Sequence, residues 1–404
     1  LKNTLYSQLA IFGGEATRDT LLPYGRQWID QTDVEAVIQT LQSPFLTQGP
    51  KIKEFEEAVA QYVGANYAVA FSNGTAALHG ACFAADIGEG DEVITTPMTF
   101  AASANCVRYC GGKVVFADIQ PDTYNIDPKE IRALITDKTK AIIPVDFTGQ
   151  PTDLNEIMEL ASERNIVVIE DAAHSLGAEY KGRKVGNIAH LTMFSFHPVK
   201  HVTTGEGGVI TTNSEEYYEK LLLFRSHGIT RDKELLECTN EGDWYYEMHE
   251  LGYNYRITDI QAALGSSQLS KIDKFVTKRR KLAEQYNDAF KNNNALITPH
   301  QNFDRESSWH LYVIQLKLSQ LKCGRKEVFD ALRKENIGVN VHYLPVHYHP
   351  YYKRLGYTKG IAPHAENLYE GIISLPLFPA MTDLDVEDVV NAVNKVIGYY
   401  SIEG

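Results

Sequence analysis

Between residues 67 and 212 short apolar runs take turns with stretches of helical period, and few folds can accommodate that alternation. Strand-length runs are expected at Tyr67 to Phe71, Glu92 to Thr95, Lys113 to Ala117, Ala141 to Pro144, Ile166 to Asp171 and Val209 to Thr212. Helices are expected from about Thr99 to Tyr109, over Pro128 to Leu134, Asp153 to Arg164 and Glu215 to Phe224. The runs do not alternate apolar with polar residues, so the sheet they build needs cover on both faces. Repeated strand–helix units of this kind give a mainly parallel sheet, and the fold class is expected to be α/β.

At 404 residues the chain exceeds the size at which one hydrophobic core keeps growing, so a second, smaller C-terminal α/β domain is expected. A long helix with apolar residues at 272, 275, 276, 282, 286 and 290 leads into it. A strand at His310 to Leu316, a helix near Arg325 to Glu335, a strand at Gly338 to Val341 and a closing helix after Thr382 complete it. The expected division is an N-terminal arm over 1–23, a large domain over 24–268 and a small domain over 269–404. Early in the large domain, Thr32-Asp33-Val34-Glu35 reads as a capping box for a helix with apolar positions 34, 37, 38 and 41. A second amphipathic helix follows, closed by Gly64.

Charge and motifs exclude several functions. Fifty-two acidic against 39 basic residues give a net charge of −13, which disfavours a nucleic-acid partner. No run approaches 18 apolar residues and no signal peptide is visible, so no membrane association is expected. The five cysteines are scattered and odd in number, as in a reducing, cytoplasmic compartment; Cys106 and Cys110 read as two helix cysteines rather than a metal pair. Neither G-x-G-x-x-G nor G-x-x-x-x-G-K-[ST] occurs, which disfavours a nicotinamide oxidoreductase and a P-loop hydrolase. His342, His347, His349 and His364 sit among tyrosines and prolines without a cysteine, so contacts to a polar ligand are preferred over a metal, and no metal is expected.

One stretch carries chemistry. The run ending in Glu170-Asp171 places acids at the carboxyl end of a buried parallel strand, where ligands of α/β sheets gather. Lys200 follows after Ser195-Phe196-His197-Pro198-Val199 and precedes the Gly-rich turn at 205–208. A lysine beside a buried carboxylate suits a Schiff-base enzyme, in which burial lowers the amine's pKa and an acid keeps a pyridine nitrogen protonated. Ser72-Asn73-Gly74-Thr75 is a tight turn into a helix amino terminus, which binds phosphate through unpaired N–H groups. Phe100, at the same end of the sheet, can stack on a flat ring.

Taken together these motifs resemble the DegT/DnrJ/EryC1/StrS sugar aminotransferases. The likeness spans nearly the whole chain through Leu46-Thr47-Gln48-Gly49-Pro50, Ser72 to Leu78, Pro97-Met98-Thr99-Phe100, Glu170 to His174, Ser195 to Lys200, Gly205-Glu206-Gly207-Gly208 and Gly252-Tyr253-Asn254-Tyr255-Arg256. The resemblance implies a fold-type I, aspartate-aminotransferase-like transferase using pyridoxal 5'-phosphate, with pyridoxamine phosphate formed in passing. It implies that Lys200 binds the cofactor aldehyde, that Asp171 pairs with the pyridine nitrogen and that Phe100 stacks on the ring. Gly74, Thr75, Ser195 and, across a subunit boundary, Asn254 hold the phosphate, and His174 stands against the phenolic oxygen. A homodimer with shared active sites follows. Within the family, the likeness implies L-glutamate as amino donor and C4 of a nucleotide-linked 4-keto-6-deoxy sugar as acceptor. The acceptor it points to is UDP-2-acetamido-2,6-dideoxy-beta-L-arabino-hex-4-ulose of pseudaminic acid synthesis, with Tyr24, Phe45, Leu46, Thr47, His342 and Tyr343 lining its pocket. Another UDP- or dTDP-linked 4-keto sugar, or a non-catalytic sensor domain, stays open as an alternative.

Overall fold

The computed structural model describes residues 8–238 and 240–402. At its centre lies a seven-stranded sheet of β1 (Tyr67–Phe71), β2 (Glu92–Thr95), β3 (Lys113–Phe116), β4 (Thr139–Ile143), β5 (Val167–Asp171), β6 (Leu191–Ser195) and β7 (Gly208–Thr212). Their spatial order is β1-β7-β6-β5-β4-β2-β3. β7 runs antiparallel to both neighbours and the remaining pairs are parallel, so the expected mainly parallel sheet is present. Val69, Ile94, Ile142, Val168 and Ile169 are wholly buried, because helices cover both faces. That is why the strands carry no polar alternation.

Six strands share a direction, so the segments leaving β1, β2, β4, β5 and β6 collect at one edge of the sheet. The turn at 72–75, Phe100, Asp171 and Lys200 are all brought there.

The C-terminal part packs the helices Ile272–Phe290, Arg325–Lys334 and Asp383–Tyr400 on an antiparallel sheet of Leu296–Ile297, Tyr312–Leu316 and Ile372–Leu375. All six apolar positions read from the long helix are buried. The strand expected at Gly338 to Val341 does not form. Gly338 N instead donates to Leu22 O at 2.7 Å, and Asn340 makes only an isolated bridge to Ser374. The place in the sheet is taken by Ile372–Leu375, which begins directly after Gly371 ends the preceding helix.

One further expectation is corrected. The first helix begins at Gln31 with Asp30 as its cap and Asp33 closing the box, two residues ahead of the Thr32 box, because Asp30 Oδ1 reaches the Thr32 and Asp33 amides. The amino-terminal segment, of which residues 1–7 lie outside the described part, packs against the C-terminal part. Leu9 is in the C-terminal core, and the Ala10 and Thr17 amides each donate to the Glu335 carboxylate at 2.9 Å. Among the described residues no helix is long and apolar enough to cross a membrane, no cluster of metal-ligand type occurs, and Cys106 is buried on its helix with Cys110 just past the helix end.

Candidate active site

The site starts where β1 turns into the helix Gly74–Ala84. Asn73 Oδ1 accepts the Ala76 amide at 2.8 Å, while the Gly74 and Thr75 amides have no acceptor within the helix. Close approach explains two glycines here. A Cβ on Gly74 would lie 3.2 Å from Ser195 Cβ and one on Gly208 2.6 Å from Asn73 O, so the ends of β6 and β7 could not otherwise press against the helix terminus. The result is a small concavity bounded by free amides and the Ser195 hydroxyl.

Asp171 ends β5 almost completely buried. Ser103 Oγ donates to its Oδ2 at 2.6 Å and the Ala173 amide to its Oδ1 at 3.2 Å. Burial raises the Asp171 pKa, while these two hydrogen bonds and the Lys200 charge draw it back down. Ser103 went unread in the sequence. It lies one helical turn after Thr99, whose hydroxyl is 2.7 Å away, and that i, i+4 spacing of hydroxyls was the available signal.

Lys200 sits in a turn closed by its amide donating to His197 O at 2.9 Å. Burial lowers its pKa to about 8; the Asp171 charge works against that fall and the Arg279 charge with it. The amine is thus far closer to neutrality than an exposed lysine. Around it stand His174, His201 and His310, each held well below the ordinary histidine pKa by burial first and by the Lys200 charge among other causes. Tyr343 Oη and His174 Nε2 are 3.1 Å apart, and His174 Nδ1 is buried without a partner.

One cavity of about 700 Å³ brings together Tyr24, Gly74, Thr75, Phe100, Asp171, His174, Ser195, Lys200 and Tyr343. Glu206 and Tyr255, from the motifs at 205–208 and 252–256, line it too, as do Tyr109 and His310, which nothing in the sequence singled out. His342 lies behind the wall, its ring 5.3 Å from Tyr24 and 4.8 Å from Tyr343, with Nδ1 bonded to Ser374 Oγ at 2.8 Å. Phe45, Leu46, Thr47 and Asn254 do not line the cavity of their own chain. They form an outer surface instead. Leu46 O accepts the Asp259 amide, Thr47 bridges Thr258, and Phe45, Leu46 and Asn254 are exposed.

With this geometry in place, comparison with known proteins is direct. The model of the DegT/DnrJ/EryC1/StrS aminotransferase family matches residues 27–394. The chain belongs to that family. This DegT/DnrJ/EryC1/StrS aminotransferase is 43% identical over 382 residues to the spore coat polysaccharide biosynthesis protein SpsC of Bacillus subtilis, covering 94% of this chain and 98% of that protein. It is 41% identical over 381 residues to the UDP-4-amino-4,6-dideoxy-N-acetyl-beta-L-altrosamine transaminase of Campylobacter jejuni, covering 93% and 98%. Among solved structures it superposes on Helicobacter pylori PseC, an aminotransferase involved in the biosynthesis of pseudoaminic acid, with a TM-score of 0.88, 33% identity and 94% and 100% coverage.

The family uses pyridoxal phosphate, and the residues present fit that group. The concavity at Gly74 is one a Cβ would crowd, and the unpartnered His174 Nδ1 and the buried Asp171 are polar groups suited to the rim of a flat heterocycle.

Proposed function

We propose that this chain transfers the amino group of L-glutamate to C4 of a nucleotide-linked 4-keto-6-deoxy sugar, with pyridoxal phosphate as cofactor. The observation that carries the reading is one cavity holding a buried acid at a strand end, a lysine of lowered pKa and a helix terminus with free amides. The names of the Campylobacter and Helicobacter relatives favour UDP-2-acetamido-2,6-dideoxy-beta-L-arabino-hex-4-ulose as the acceptor. The aromatic wall of Tyr24 and Tyr343 suits a sugar face.

When bound, pyridoxal phosphate supplies an aldehyde that takes up amines and a ring that stores an electron pair. Gly74 and Thr75 amides with Ser195 Oγ would hold the phosphate, aided by the dipole of the helix behind them. Asp171, whose ionised form Ser103 and the Ala173 amide favour, would face the ring nitrogen. Phe100 would cover the ring and His174 Nδ1 would serve its phenolic oxygen. Lys200 would hold the aldehyde, and its amine would take up the proton from the donor's Cα. Because one site serves donor and acceptor in turn, the kinetics are ping-pong.

The exposed surface supports a reading of the assembly. Val34, Ile38 and Leu41 on one helix stand 40–54% exposed beside Phe45 and Leu46, too much apolar surface to leave wet. We infer a homodimer closed over this face, with Asn254 of each copy reaching the other's phosphate. The reading also divides the chain into a large domain ending near 268 and a small one after it, and places the protein, with its unpaired cysteines, in the cytoplasm.

The test is transfer of label. Incubation of the purified protein with L-[15N]glutamate and a panel of UDP- and dTDP-linked 4-keto sugars should give a 15N-amino sugar by mass spectrometry, most readily from the UDP-linked acceptor. Transfer to no member of the panel would reject the function.

A further inference from the structure

Arg279 is among the largest fully buried side chains in the molecule. It lies on the inward stripe of the helix Ile272–Phe290, between Val276 and Leu282, where every other position read from the sequence is apolar. No ion pair of the described residues involves it. Its Nη1 donates to Trp309 O at 3.1 Å, His310 O at 3.1 Å and Leu377 O at 2.9 Å, and its Nε is buried without a partner. A buried cation with no acid beside it is unfavourable unless something else in the fold depends on it.

Two of these carbonyls, Trp309 O and His310 O, belong to the turn ahead of the strand Tyr312–Leu316, which Arg279 ties to Leu377 O. Trp309 there has φ +53°, a left-handed conformation that a residue with a Cβ disfavours. It is held by Arg279 on its carbonyl, by Ser307 Oγ accepting its amide at 3.0 Å and by its ring lying 5.7 Å from that of Tyr312. Backbone strain of this kind collects where a side chain must be aimed. The next residue is His310, which lines the cavity, is 4% exposed, and has its ring 4.3 Å from that of His174. Its Nδ1 is buried without a partner, a hydrogen-bonding group left for a ligand.

The donor brings a second constraint. Its α-carboxylate is one bond from the carbon that reacts beside Lys200, so it lies in this part of the cavity. Yet among the described residues of the same chain no arginine lines that cavity, and its one ammonium, Lys200, is engaged in the reaction. We propose that His310 is the residue that contacts the amino donor's α-carboxylate, as a neutral N–H donor, and that Arg279 is the positioning residue that fixes its aim and adds positive potential from behind. This rests on the aminotransferase reading and names how that site takes its donor.

The two half-reactions can be followed separately in the holoenzyme by the cofactor's absorbance. His310→Ala should raise the half-saturating concentration of L-glutamate by about 10- to 100-fold, the worth of a hydrogen bond to a charged group. His310→Gln and His310→Asn, which keep an N–H donor, should recover part of that loss and guard against misfolding. Half-saturation by the keto sugar should stay within about twofold in all three. Spectral titration with 2-methyl-L-glutamate, which has no Cα proton to lose, should weaken by the same factor as glutamate. Titration with 4-aminobutyrate, which lacks the α-carboxylate, should be unchanged. Arg279→Met, which removes every donor to the three carbonyls, should weaken the glutamate arm alone. An unchanged glutamate arm in His310→Ala, or equal losses in both arms, would overturn the assignment while leaving aminotransfer intact. Absence of any spectral response to glutamate in the unaltered protein would instead overturn aminotransfer itself, and this assignment with it.

Discussion

Ser103→Ala isolates what keeps Asp171 ionised. In the native cavity Ser103 Oγ and the Ala173 amide are the two donors to that carboxylate, at 2.6 and 3.2 Å, set against burial that favours the neutral acid. A hydrogen bond to an ionised group is worth about 1.5–3 kcal/mol. Losing the shorter one therefore shifts the ionisation equilibrium of Asp171 toward the acid by roughly 10- to 150-fold. The sign follows from the direction of the native shift. A carboxyl whose folded pKa is already raised is raised further, so the charged form disappears at higher pH as the solution is acidified. The acid limb of the rate should move upward, while rates above the limb fall much less. The assay is the steady-state rate with glutamate and keto sugar across the range from about pH 5 to pH 9. Ser103→Thr, which retains the hydroxyl, should return the limb toward its native place. A limb that does not move, or a loss equal at every pH, would show that Ser103 serves packing alone and that Asp171 is held ionised by other means.

Further outcomes follow from the same cavity. Uptake of pyridoxal phosphate by cofactor-free protein should speed up with rising pH and level off above about 8, where the Lys200 ammonium is lost; stopped-flow absorbance reads it, and a rate still climbing near the ordinary lysine value of about 10.4 contradicts the lowered pKa. Gly74→Ala puts a Cβ 3.2 Å from Ser195 Cβ and 3.4 Å from Met193 Sδ. Roughly 1–3 kcal/mol of overpacking then falls on the phosphate cradle, and cofactor affinity should drop about tenfold or more by equilibrium dialysis. If Asn254 acts across a dimer, mixed dimers of Lys200→Ala and Asn254→Ala chains contain one intact site each, and random remixing should restore about a quarter of native activity. Activity no greater than the sum of the separate variants would place Asn254 in its own chain's site.

How much was legible depended on whether the determinant was local. The strands could be read because burial on both faces forbids polar residues, and Asp171, Lys200 and the turn at 72–75 could be read because each sits in a short motif at a strand end. Ile372–Leu375 was missed because it is short and starts directly after a helix, with Gly371 alone between their apolar runs, and Gly338 to Val341 was misjudged because Leu22 competes for its backbone. Two overlapping capping boxes, at 30–33 and 32–35, could not be ranked without knowing that Asp33 also takes hydrogen bonds from Ser267 and Gln268. Helical spacing at 34, 37, 38 and 41 found the helix but not its cover, since that face is outside the single chain's core. His310 comes to the cavity from more than a hundred residues beyond Lys200, and only its unpartnered nitrogen marks it. Arg279 could have been noticed, as a charged residue on an otherwise apolar stripe.

The central claim is a covalent bond between one amine and one aldehyde. Reduction of the pyridoxal-phosphate-loaded protein with borohydride, followed by peptide mass mapping, tests it without reference to any substrate. A stable phosphopyridoxyl group on Lys200, and its absence there from Lys200→Ala, is the expected result. A label on another lysine, or no retained label after reduction of the loaded protein, would contradict the account.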